Sequence, residues 1–120
     1  MVVDDDRNIR ESIANLLADE YEVLLAEDGE QALTEIKKER LDLVLLDVRL
    51  PKIDGLEVLK TIKDSQPNLP VIIVSAVEEI KTVVTSLRSG AYHYLTKPFN
   101  VQELEIIIRQ AFKEVKQEND

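Results

Sequence analysis

The sequence has no cysteine. That excludes a disulfide scaffold and any thiolate metal site, and it suits a reducing compartment. No apolar run approaches the length of a membrane span, and the first residues carry no signal-peptide pattern. There is no internal repeat, low-complexity tract or linker. Basic residues are the scarcer charge: 15 Lys and Arg stand against 24 Asp and Glu, a net charge of −9. Phosphate-backbone recognition draws on Lys and Arg, so this domain is not expected to bind nucleic acid directly. An acidic balance suits basic partners or divalent cations. What is present is a chain of 120 residues, 44% hydrophobic. That is enough for one domain, expected to span residues 1–120, with a core of its own.

Strand and helix patterns alternate along the whole chain. Met1 to Val3 begins a first strand that runs into Asp4, Asp5 and Asp6. Arg7 to about Asp19 has helical spacing, with Ile9, Ile13, Leu16 and Leu17 inward. A second strand is expected over Tyr21 to Ala26. Asp28 can cap the next helix, which buries Ala32, Leu33 and Ile36. A third strand covers Leu41 to Leu46. Leu56, Leu59 and Ile62 mark a third helix, ended before Pro67. Pro70 to Ala76 is almost wholly apolar and β-branched, as in a sheet covered on both faces. A fourth helix spans Glu78 to Ser89 and stops at Gly90. The fifth strand is Tyr92 to Thr96, and Asn100 can cap a last helix with Leu104, Ile107, Ile108 and Ala111 inward. The polar tail from Lys113 to Asp120 is expected to fray or lead onward. The start is abrupt for a central strand, so residues are expected to be missing from the natural amino end.

Such alternation predicts a parallel sheet with right-handed crossovers and helices on both faces. Ligands of that fold class collect outside the carboxyl ends of the strands. There the sequence puts Asp4 and Asp5 after strand one, Asp47 after strand three, Ser75 at the end of strand four and Lys97 after strand five. Crowded carboxylates repel and raise one another's pKa. A hard cation such as Mg²⁺, which favours carboxylates and water, relieves this. A carboxylate can also attack phosphorus and form an aspartyl phosphate, while Lys97 and the metal offset the phosphoryl charge. Plainer roles suit other residues. Asp6 reads as a helix cap, Asp54 as part of the turn before Gly55, and His93 as a side chain facing solvent or a helix. Period-two spacing puts Tyr92 and Tyr94 on one face of their strand and His93 on the other.

The stretches VVDDD, LLDVRLPKIDG, VIIVSA and GAYHYLTKPF together resemble the response-regulator receiver domain of two-component signalling, over essentially the whole chain. The resemblance implies a doubly wound, flavodoxin-like α/β fold with strand order 2-1-3-4-5 and five helices. It implies Mg²⁺ at Asp4 and Asp5, with Asp47 as phosphoacceptor and further ligand and the Arg49 main-chain carbonyl completing the metal site. Ser75 and Lys97 become the hydroxyl and lysine of the site, Ser75 and Tyr94 the switch pair, and Lys97-Pro98 a cis peptide. Arg49 and Val77 take positions that tune hydrolysis. The implied activity is self-catalysed phosphotransfer from a sensor histidine kinase or small phosphodonor, then slow hydrolysis, in the cytoplasm. A fused or separate output domain, transcriptional in kind, or a homodimer through helix 4, strand 5 and helix 5 would read the change. The run SGAYHYLTKPFNVQELE is similar to receivers attached to DNA-binding or ATPase outputs, including the nitrogen-regulator type.

Three other functions fit less well. A flavodoxin-like cofactor binder needs a Ser-, Thr- and Gly-rich phosphate loop after strand one, and Asp4 to Asp6 would repel an anion. An aspartyl phosphatase or phosphotransferase acting on a separate substrate needs a cap or lid, for which this chain has no room. An interaction-only receiver would lack site residues that are all present here.

Overall fold

Val71, Ile72, Ile73 and Val74 are consecutive, β-branched and buried in the computed structural model, which describes the backbone of residues 1–119 and the side chains of residues 1–114. They form most of β4 (Val71–Ser75). Their side chains alternate between two apolar clusters, Val71 and Ile73 in one, Ile72 and Val74 in the other. A strand buried on both faces is what a central parallel strand requires. The other strands are β1 (Val2–Val3), β2 (Leu25–Ala26), β3 (Val44–Leu46) and β5 (His93–Thr96). All pairs are parallel, in the order β2-β1-β3-β4-β5. The helices between them are α1 (Arg7–Leu17), α2 (Gly29–Lys38), α3 (Gly55–Ser65), α4 (Ile80–Arg88) and α5 (Val101–Asn119).

One face of the sheet is covered by α2 and α3, whose Ala32, Ile36, Val58, Leu59 and Ile62 join Val3, Leu46 and Ile73. The other is covered by α1 and α5, through Ile13, Leu17, Leu104, Ile107, Ile108 and Ala111. Side-chain oxygens start four of the helices. Asp6, Asp28, Asp54 and Asn100 each accept a main-chain N–H of the first turn, which satisfies donors that have no partner inside a helix. The predicted caps Asp6, Asp28 and Asn100 are thus in place. Asp54, read as a turn residue, is also a cap. Gly90 ends the α4 segment at φ 106°, a conformation open to glycine.

Several expected boundaries move. The second strand is not Tyr21 to Ala26 but Leu25–Ala26. Tyr21 instead closes the end of α1, its N–H donating to Leu17 O at 2.9 Å. The third strand likewise shortens from Leu41–Leu46 to Val44–Leu46. The second strand has only β1 to pair with, and β1 offers Val2 and Val3, whereas the third starts where β4 does, Val44 opposite Val71 just after Pro70. Leu16, expected inward, is exposed. Tyr92 and Tyr94 pack into opposite clusters, because Tyr92 lies before β5 begins and escapes its alternation. The tail from Lys113 does not fray at once: α5 runs through Asn119, with no Gly or Pro to stop it, and Asp120 lies outside the described residues. Among the described residues no helix is long and apolar enough to cross a membrane.

Gly55 lets the chain turn back against the end of β3. A β-carbon there would meet Asp47 O at 2.3 Å and Val48 O at 2.6 Å, main-chain atoms that have no room to give. Gly55→Ala is therefore expected to cost about 1–3 kcal/mol of stability by overpacking. Urea denaturation at constant m-value is the measurement, and a loss below about 0.5 kcal/mol would show that the loop can yield.

Candidate functional site

Four strands deliver polar side chains to the carboxyl edge of the sheet. Asp4 follows β1 and Asp47 follows β3, and the two strands are neighbours, so the carboxylates arrive side by side. Both are buried, 3% and 7% exposed, whereas Asp5 is exposed. Lys97 follows β5, on the far side of β4, and its long stem reaches back across the edge. Its ammonium donates to Asp4 Oδ2 at 2.5 Å and to Asp47 Oδ2 at 3.1 Å. Ser75 ends β4 between them, 1% exposed, its Oγ accepting the Val77 N–H at 3.3 Å. The residues expected at one edge therefore do meet.

The charges do not balance. One ammonium serves two buried carboxylates, with Asp5 a third beside them. Burial holds the Asp4 carboxyl above its ordinary value, against the hydrogen bonds from Lys97 and the Asp6 N–H. Burial also acts to lower the Lys97 ammonium, but its hydrogen bond to Asp4 and the charge of Asp47 outweigh this and hold it above its ordinary value. Carboxylate oxygens of Asp4, Asp5 and Asp47 lie within 4.8 Å of one another. An octahedral Mg²⁺ keeps its oxygens at about 2.0–2.1 Å, so opposite ligands stand roughly 4 Å apart. The cluster fits such an ion in donor type and spacing.

The surroundings hold these groups in place. Asp47 Oδ1 accepts the Arg49 N–H at 3.0 Å, and Gly55 N–H donates to Val48 O at 2.9 Å, closing the loop after β3. The same loop carries Lys52 at φ 68°, its ammonium 3.5 Å from Asp28 Oδ2. Tyr94 donates its hydroxyl to Val77 O at 2.6 Å, which ties β5 to the loop after Ser75. The Lys97-Pro98 peptide is cis. His93 is exposed and takes no part.

Sequence reasoning missed Arg10. Its guanidinium donates to Asp4 O at 2.8 Å and pins the acidic loop to α1. The available signal was its place in the first turn after the capped acidic run.

The family model described as the response regulator receiver domain matches residues 1–109. The chain belongs to the response regulator receiver family. It is 40% identical over 121 residues to the response regulator MprA of Mycobacterium avium, covering all of this chain and 53% of that protein. A CheY-like receiver domain protein from Methanospirillum hungatei superposes with a TM-score of 0.94 at 32% identity, covering 98% of this chain and 94% of the other. NtrX from Brucella abortus superposes at 0.92 with 36% identity, covering 98% of this chain and 28% of that one. The receiver thus spans about half the length of the curated relatives it matches.

Removing the receiver's Lys97 ammonium strands two buried carboxylates. Lys97→Met is expected to cost about 3 kcal/mol in Mg²⁺-free buffer at pH 7. The sign with pH follows from Asp4. Its folded value is raised, so its ionisation costs stability at neutral pH, and that cost is relieved as pH falls through the folded value. Without Lys97 the relief is larger, so the gap between variant and wild type should narrow on acidification. Denaturant melts across pH check this, and a gap that widens on acidification would contradict it.

Proposed function

We propose that this receiver is a phosphorylation-controlled switch of a two-component system, in which Asp47 takes a phosphoryl group from the phosphohistidine of a sensor histidine kinase. The observation that carries this reading is the Lys97 ammonium bonded to both Asp4 and Asp47, with Asp5 alongside. In transfer, an Asp47 oxygen bonds to phosphorus as the phosphorus–nitrogen bond to the donor imidazole breaks, and the nitrogen keeps the electron pair. Lys97 offsets charge on the phosphoryl oxygens, and the Ser75 hydroxyl donates to one of them. The same site slowly returns the phosphate to water, so the domain acts catalytically only on itself.

Asp4, Asp5, Asp47 and the Arg49 main-chain carbonyl would hold Mg²⁺. Bound there, it supplies positive charge against the phosphoryl oxygens. Both Asp4 oxygens are already engaged, Oδ1 by the Asp6 N–H at 2.9 Å and Oδ2 by Lys97. Asp5 is exposed and unengaged by any such bond among the described residues, so it would hold the ion directly and Asp4 largely through water.

Phosphorylation adds acceptor oxygens beside Ser75 and Lys97. Ser75 is drawn towards them, and Tyr94, whose hydroxyl holds the loop after Ser75, shifts with it. The surface of α4, β5 and α5 changes in consequence and is read by a fused or separate output domain, transcriptional in kind, or by a second copy. A few kcal/mol between two existing states suffices. The domain spans residues 1–120, works in the cytoplasm and leaves nucleic-acid binding to its output.

Two experiments bear on this. With Mg²⁺ and acetyl phosphate, intact-mass measurement should show wild type gaining one phosphoryl group and Asp47→Asn none; equal labelling of the variant would displace Asp47 as nucleophile. In Mg²⁺ titrations followed by amide NMR, Asp5→Ala should weaken binding by about tenfold or more, a loss near 1.4 kcal/mol. Asp6→Ala should leave affinity nearly unchanged while costing about 1 kcal/mol of stability as a lost cap. Equal affinities for the two variants would remove Asp5 from the metal site.

A further inference from the structure

The loop from Val48 to Gly55, between β3 and α3, turns on one residue. Lys52 has φ 68°, a region that L side chains seldom occupy. Across it, the Ile53 N–H donates to Pro51 O at 2.8 Å. A bond that spans one residue of positive φ is the rare, strained kind of γ-turn. Glycine or asparagine would enter this conformation readily, and lysine gains nothing local from it. Such strain persists where the surroundings over-determine it.

The surroundings here are α2 and the core beneath it. Leu50 and Ile53 pack against the cluster under α2 and α3. The start of α2 closes on the turn: a β-carbon on Gly29 would stand 3.3 Å from both Ile53 Cβ and Ile53 O. The Lys52 side chain reaches the same helix start. Its ammonium lies 3.5 Å from Asp28 Oδ2 and 3.9 Å from Glu30 Oε2. The Asp28 side chain is only 10% exposed, and its Oδ1 is held by the Gln31 N–H at 2.8 Å, which leaves Oδ2 for the lysine. Lys52 lines the same groove as Asp5 and Arg49, yet among the described residues its ion pairs go to α2 and not to the acidic cluster.

We propose that Lys52 is a positioning residue, whose ion pair with Asp28 and Glu30 latches the strained turn to α2 and so holds the Arg49 carbonyl where the metal site needs it. The role rests on the proposed metal site, in which that carbonyl is a ligand. Without the latch the turn relaxes, the carbonyl is in place for only part of the time, and the apparent affinity falls by that fraction. The sign separates this from a simple charge effect. A cation near three carboxylates repels a divalent ion, so by charge alone the loss of Lys52 would tighten Mg²⁺ binding. By positioning, its loss weakens binding.

The test uses the 120-residue chain with Lys52→Met, Lys52→Arg and Asp28→Asn, the last of which keeps a capping side chain. In Mg²⁺-free buffer, hydrogen exchange of the Ile53 amide should quicken by about threefold or more in Lys52→Met and in Asp28→Asn, and stay near wild type in Lys52→Arg. In Mg²⁺ titrations followed by amide NMR, Lys52→Met should bind about three- to fivefold more weakly and Lys52→Arg within about twofold of wild type. The double variant Lys52→Met, Asp28→Asn should bind no more weakly than the weaker single one, because both changes break one latch. Unchanged Ile53 exchange in both single variants, or a Lys52→Met affinity equal to or tighter than wild type, would overturn the proposal. The exchange arm needs no metal, so it tests the latch even if Asp5→Ala binds Mg²⁺ as wild type does, the result that would remove the metal site instead.

Discussion

A single ammonium stands between two buried carboxylates, and the carboxyl edge of this sheet is organised around it. Asp4 and Asp47 come from neighbouring strands, and parallel pairing sets them side by side whether or not their charges agree. Neither carboxylate is easily kept in a protein interior without a partner. Lys97 starts two strands away, beyond β4, and only a long flexible side chain can cover that distance. The arrangement remains one charge short, and the exposed Asp5 deepens the deficit. That imbalance makes the edge receptive to a divalent cation, and the acidity of the site is thereby a property of the fold as well as of its residues.

Much of the remaining structure keeps the carboxylates where Lys97 can reach them. Gly55 allows α3 to begin directly against the Asp47 main chain, and Asp54 caps that helix in the same turn. Arg10 fastens the Asp4 carbonyl to α1. Lys52, in a left-handed conformation, turns its ammonium towards Asp28 and Glu30 and closes the rim on the β2 side. On the β5 side, Tyr94 holds the Val77 carbonyl, so the loop leaving Ser75 is tied to the strand that delivers Lys97. The α4 helix that follows has Ser86 as its only buried residue, while Ile80, Val84 and Leu87 are exposed. It is the helix least anchored to the core, and elements with few buried contacts move most readily.

The fold shows how one short strand propagates. β1 lies between β2 and β3; its two residues limit β2, while β3 begins opposite Val71, the first residue of β4. Sequence reading gave those neighbours six residues each, because Tyr21 to Ala26 and Leu41 to Leu46 are apolar enough to be strands. Propensity is local, but a ladder needs two sides.

The sequence alone determined the class of fold, the helix caps at Asp6, Asp28 and Asn100, the double burial of β4 and the set of residues at the carboxyl edge. Each follows from periodicity, from the chemistry of a side chain beside a helix start, or from the rule that strand ends collect ligands. The cap at Asp54, the packing of Gly55 and the bond from Arg10 to Asp4 were not legible, since each depends on a main-chain atom brought close by folding. Nor was the split of Tyr92 from Tyr94, which turns on where β5 begins. Tertiary structure also decided that Asp4 and Asp47 share one ammonium. Residues 4 and 97 are far apart in the chain, and only the order β2-β1-β3-β4-β5 brings their charges within hydrogen-bond distance.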